Sequence, residues 1–143
     1  EPFLLASTLR LIVAQRLVRR LCGECRRPET ADAATARLAG VEPGARVWRP
    51  QGCAHCQNTG YVGRVGLYEV IRVDDPVRRL IAAEADEDAI NAAAFTRAGA
   101  ESLTRRARAL VLEGVTSVEE AVRVTRQEAA AVDGDTAGHE VAA

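Results

Sequence analysis

Four cysteines stand in two pairs, Cys22-x-x-Cys25 and Cys53-x-x-Cys56, and the chain has no others. Two cysteines separated by two residues can bite one ion in a tight turn, and zinc prefers four ligands in a tetrahedron. Gly23 follows the first cysteine and Gly52 precedes the third, which eases both turns. The expected chemistry is a structural zinc site made by Cys22, Cys25, Cys53 and Cys56. Four thiolates leave no open position for a reacting water, so a catalytic zinc is not expected. Four thiolates on a divalent ion sum to a formal charge of about −2, and Arg19, Arg20, Arg26 and Arg27 lie near enough in sequence to offset it. His55, between the third and fourth cysteines, is cramped as a ligand and reads as a solvated bystander.

A second stretch, Thr59-Gly-Tyr-Val-Gly-Arg-Val-Gly66, spaces glycines by three. No strand is expected before it and no helix after it, so it is not a dinucleotide fingerprint. Its one charged group, Arg64, either reaches a phosphate or a neighbouring subunit, or is a surface strand residue. All basic residues are arginine. Without lysine the chain has no Schiff-base or phosphate-gripping lysine. No Ser/His/Asp set or paired-carboxylate frame is visible either, so these residues are expected to catalyse nothing by themselves.

The elements that must hold these residues can be read from periodicity. Ala6–Leu21 reads as one helix, with Leu11, Ala14, Leu17, Val18 and Leu21 on a face and Ser7 or Thr8 as its cap. Arg16, Arg19 and Arg20 fall on the opposite face, and the first half is apolar nearly all round, as in a helix buried on two sides. Residues 22–56 form a loop-rich insert with one short helix in 31–39 and a short strand at Val47-Trp48. Residues 61–73, rich in Val, Ile and Tyr, read as extended. Four helices then start at Asp75-Pro76, Asp86, Ser102 and the Thr116-Ser-Val-Glu119 capping box. The second should stop near Gly99 and the third at Gly114. The tail from Ala129 lacks apolar periodicity and is expected to be disordered.

Bulk properties narrow the class. A net charge of −1 gives no electrostatic case for nucleic acid, and 3% aromatic residues leave little to stack bases. Arg10, Gln15 and Arg16 interrupt the apolar N-terminal run, so no membrane span is expected. The chain has no Met and runs directly into an apolar segment, as though it begins inside a longer protein.

Taken in order, EPFLLASTLRLIVAQRLVRRLCGEC, GCAHCQNTGYVGRVGLYEVIRVDD and GVTSVEEAVRVT resemble the C-terminal part of the type II secretion ATPases and their relatives, the type IV pilus assembly ATPases. The resemblance covers about residues 1–128. It implies an α+β, mostly helical chain. Residues 1–21 would be the last helix of a RecA-like ATPase core and 61–74 its returning edge strand. Residues 22–60 would be the zinc subdomain, 75–128 a helical subdomain, and 129–143 a tail. The parent would be a hexamer at the cytoplasmic face of the bacterial inner membrane, docked on secretion platform proteins and driving pseudopilus assembly. It would bind ATP and Mg²⁺ through motifs that these residues lack. Arg64, and Arg16 less directly, would lie near its nucleotide site. The alternatives are a pilus assembly ATPase, a free-standing zinc-ribbon binding module, and a rubredoxin-like iron site.

Overall fold

A computed structural model of the chain describes residues 1–96 and 101–133. Among them are six helices and four strands: α1 (Pro2–Thr8), β1 (Leu11–Leu21), β2 (Arg27–Thr30), α2 (Ala33–Ala39), β3 (Arg46–Arg49), β4 (Tyr61–Arg72), α3 (Asp75–Ala82), α4 (Glu87–Phe95), α5 (Leu103–Leu112) and α6 (Val118–Asp133). The strands form two ribbons, β1 with β4 and β2 with β3. β2 and β3 are antiparallel, with Arg27 opposite Arg49 and Thr30 opposite Arg46.

The helix expected over 6–21 is not there. A short helix ends at Thr8, and Leu11–Leu21 is a strand. Ser7 and Thr8 do not cap a helix start; their hydroxyls donate back to the Leu4 carbonyl at 3.0 and 2.6 Å, closing the last turn of α1. The physical reason is pairing with β4, whose sequence lies far along the chain. Ile12, Val13 and Val18 are β-branched and fit a pleated ladder at least as well as a helix face. β2, with Pro28 inside it, also arises where only loop was expected. It has one partner, and a two-stranded ribbon tolerates a proline because each strand has an open edge.

The remaining helices start within one residue of where the sequence places them; α3 is capped by Asp74, one residue before the expected Asp75. Asp32, Asp74 and Asp86 accept the amides of Thr35, Val77 and Ala89 and so cap α2, α3 and α4. The Ser102 hydroxyl accepts the Arg105 amide at the start of α5. The box opening α6 is one residue later than expected: the Ser117 hydroxyl accepts the Glu120 amide. α6 continues through 129–133, which the sequence left to the tail. The Gly99 stop and the tail after 133 lie outside the described residues.

The chain divides into two compact units. In the first, Glu1–Arg16 with Leu67–Arg106, α1 packs on α3. Val73, Val77 and Ala94 form the centre, with Leu9, Ile71, Ile81, Ile90 and Phe95 around them. The Arg78 guanidinium ties this unit by donating to the Ala6 and Val73 carbonyls. The second contains Leu17–Gly66 and the described residues from Ala107. Here α2 and β3 pack on α6, and Val18, Leu21, Val47, Leu110, Val111, Val118 and Val124 are buried. No helix among the described residues is long and apolar enough to cross a membrane.

Candidate metal centre

The second unit brings the two cysteine pairs together. Cys22 follows the end of β1, and its amide donates to the Gly60 carbonyl, at the residue before β4. Both pairs are therefore anchored at the same end of one ribbon. The four sulfurs all lie within 4.8 Å of one another. Cys22–Cys53 is 3.9 Å, Cys25–Cys56 3.8 Å and Cys53–Cys56 3.7 Å. A disulfide bond is about 2.0 Å long, so these are four free thiols. A regular tetrahedron with zinc–sulfur bonds of about 2.3 Å has edges of about 3.8 Å. Three of the six sulfur–sulfur edges already stand at that spacing and the rest lie within 4.8 Å, and the soft, all-thiolate donor set suits zinc.

The groups that face the sulfur charge are backbone amides. Gly52 N–H donates to Cys25 Sγ at 3.3 Å, and Cys53 and Gly60 N–H donate to Cys56 Sγ at 3.2 and 3.1 Å. Burial pushes the Cys25 thiol up to about 11, against the Gly52 amide. At Cys56 burial is the strongest influence and opposes ionisation, but the two amides together with the neighbouring Cys53 and Cys25 thiols bring it down to about 6. Gly60 can make this approach because it has φ +75° and no side chain; a Cβ there would sit 2.3 Å from Pro50 Cβ.

The neighbouring arginines are used differently from the sequence expectation. Arg26 lies over the Trp48 ring, 4.5 Å from its centroid, and donates to the Gly114 carbonyl at 2.5 Å. Arg27 donates to the Gln51 side chain. Arg19 lies over the Tyr61 ring at 4.1 Å and joins the Glu120 carboxylate. These side chains brace the insert, and amides meet the sulfurs. His55 is exposed, as expected, and pairs with Glu24 at 3.6 Å across the two cysteine turns. Arg16 and Arg64 are exposed on β1 and β4.

Sequence reasoning missed a buried hub beside this site. Glu120 is 1% exposed. Its carboxylate accepts the Arg19 amide at 3.0 Å and both the Arg19 and Arg123 guanidiniums. Burial alone would raise its pKa, yet these donors hold it down to about 2; it in turn raises both arginines. Thr116 donates to the Arg19 carbonyl and Tyr61 meets Ser117 hydroxyl to hydroxyl at 2.8 Å, so no buried polar side chain lacks a partner among the described residues. The only available signal was Glu120 at the third position of a helix, where an acid needs no further explanation.

The type II/IV secretion system protein family model matches residues 1–123. The chain belongs to that family. It is 46% identical to type II secretion system protein E of Pseudomonas aeruginosa over 90% of its length. It is 40% identical to type II secretion system ATPase E of Vibrio cholerae over 89% of its length, and 36% identical to type IV pilus assembly ATPase TfpB of Acinetobacter baylyi over 87%. It spans 26%, 25% and 22% of those three proteins, about a quarter of the length of the curated relatives it matches. In this member of the secretion family the four close cysteines are the feature with recognisable chemistry.

Proposed function

We propose that this chain is the metal-braced C-terminal part of an oligomeric ATPase that powers type II protein secretion through pseudopilus assembly. The observation that carries the reading is the family match over residues 1–123, with a relative named type II secretion system ATPase E aligned along most of the chain. The work would be ATP hydrolysis converted into subunit movement. ATP and Mg²⁺ would be held outside these residues, in a hexamer at the cytoplasmic face of the inner membrane, docked on platform proteins.

Within that parent, residues 1–21 and 61–74 would belong to a RecA-like core, 22–60 to a zinc subdomain, and 75–128 to a helical subdomain. Phe3 at 73% exposure, with Leu4, Leu5, Leu11 and Val13 about half exposed, supports burial of α1 and β1 against the remainder of such a core. Cys22, Cys25, Cys53 and Cys56 would hold a structural zinc, a closed site that keeps the insert rigid as a contact surface. The zinc supplies folding free energy and no reaction step. Arg64 and Arg16, with guanidiniums suited to phosphate, would serve the nucleotide site from exposed strand positions.

The test pairs two measurements. Intact protein should hydrolyse ATP and restore export to a strain lacking its secretion ATPase, while residues 1–143 alone should bind zinc and turn over no ATP. Substantial turnover by residues 1–143 would overturn the reading. A second reading, a pilus assembly ATPase, rests on the 36% identity to TfpB, below the 40% and 46% to the secretion relatives; restoration of pili in place of export would select it.

A further inference from the structure

The four sulfurs differ in how they are supported and screened. Cys56 accepts two backbone amides and Cys25 accepts one. Cys22 is wholly buried, and Cys25 and Cys56 are 5% exposed. Cys53 is the one that is part-exposed, and it stands on a turn whose next residues, Ala54 and His55, face solvent. Among the described residues its sulfur is approached by the sulfurs of Cys22 and Cys56 and by no amide. N–H···S bonds draw charge from a thiolate, and outer-shell partners of this kind tune metal ligands strongly. A thiolate without them keeps its nucleophilicity, and exposure decides whether a reagent arrives. Both conditions meet at Cys53 and at none of its partners.

We propose that Cys53 is the reactive ligand of the metal centre: the sulfur that soft electrophiles modify first, and from which metal exchange begins. The inference rests on the zinc reading above. With iodoacetamide as probe, a Cys53 sulfur lone pair forms an S–C bond as the carbon–iodine bond breaks, and iodide leaves with the bonding electrons. The thioether left behind carries no negative charge and is a poorer ligand. One thiolate is thereby lost from the set, and a competing chelator gains the metal. Cys56, doubly bonded by amides and buried, is held back on both counts.

The experiment uses intact, freshly purified protein. Its zinc content and free thiols are measured first. It is then treated with limiting iodoacetamide in the presence of a chromogenic zinc chelator, and modified cysteines are located by peptide mass spectrometry. Cys53 should be alkylated faster than each other cysteine by roughly tenfold, the low end of what an outer-shell partner contributes. Zinc release should track that modification one to one. Bound zinc with Cys22, Cys25 or Cys56 modified first, or all four at one rate, overturns this inference and leaves the zinc reading standing. Protein without metal and with its cysteines oxidised to disulfides overturns both.

Discussion

The Glu120 carboxylate accepts the backbone amide of Arg19 at 3.0 Å and the guanidinium of the same residue at 2.8 Å. One side chain thus holds both the main chain of β1 and its own counter-charge, while Arg123 closes the other side. Removing the carboxylate's charge weakens a buried acceptor, while the two half-exposed guanidiniums turn to water. Glu120→Gln is expected to destabilise the second unit by about 2 kcal/mol, the scale for hydrogen bonds to a charged group whose partners are part-solvated. Urea unfolding of the variant against the parent measures it.

Acid gives the same interaction a pH signature. The folded pKa of Glu120 is depressed to about 2, so acid protonates this carboxyl more readily in the unfolded chain. Its contribution is fully present above about pH 5 and is lost as pH falls from the ordinary carboxylate range near 4 toward 2. Melting temperatures across that window should fall for the parent and fall less for Glu120→Gln. Equal slopes would remove Glu120 as the source.

Gly114 has φ +69°, and a Cβ there would lie 2.5 Å from the Trp48 ring. Gly114→Ala must strain the backbone and displace the Arg26–Trp48 stack together. A loss of roughly 3 kcal/mol is expected. Trp48 is the single tryptophan, so its emission reports the displacement directly, and an unshifted spectrum would contradict this packing.

Metal removal should act through the same reporter. Structural zinc contributes on the order of 10 kcal/mol to small sites. Chelation, or serine at any of the four cysteines, is expected to red-shift Trp48 emission and lower the melting temperature by many degrees. Gly60→Ala should weaken zinc retention more mildly, because it moves the amide that supports Cys56. Chelated protein with an unchanged melting curve would refute a structural role.

Arg64 and Arg16 are exposed, so alanine at either should change stability by no more than about 0.5 kcal/mol. If the nucleotide-site proposal holds, Arg64→Ala lowers the ATPase rate of the intact protein by at least tenfold while leaving its melting curve in place. Parental turnover in that variant would return Arg64 to being a surface strand residue.

Much of the metal centre was legible because its information is local: four cysteines at a fixed spacing, with glycines at the turns. The same holds for the caps at Asp86 and Ser102 and for the strand at 61–72. Leu11–Leu21 was misread because its apolar residues satisfy the helical period as well as a strand, and the deciding partner, β4, lies some fifty positions further on. Arg19 and Glu120 are 101 positions apart. No local pattern announces such a pair; only the fold does. The four-residue strand β2 was invisible for a related reason, since Pro28 argues against a strand unless its N–H faces an open edge.

The amide of Cys22 meets the carbonyl of Gly60 at 2.9 Å, where one long strand ends and the other begins. The intervening polypeptide therefore departs from and rejoins neighbouring rungs, like a bight of rope tied off at its throat. Lengthening the bight at an exposed turn costs the ladder beneath little, because closing a longer ring grows dearer only logarithmically. A longer turn at the exposed residues 42–44 would therefore leave the two strands where they are, whereas α2, held on α6 by the buried Ala36, must keep its character.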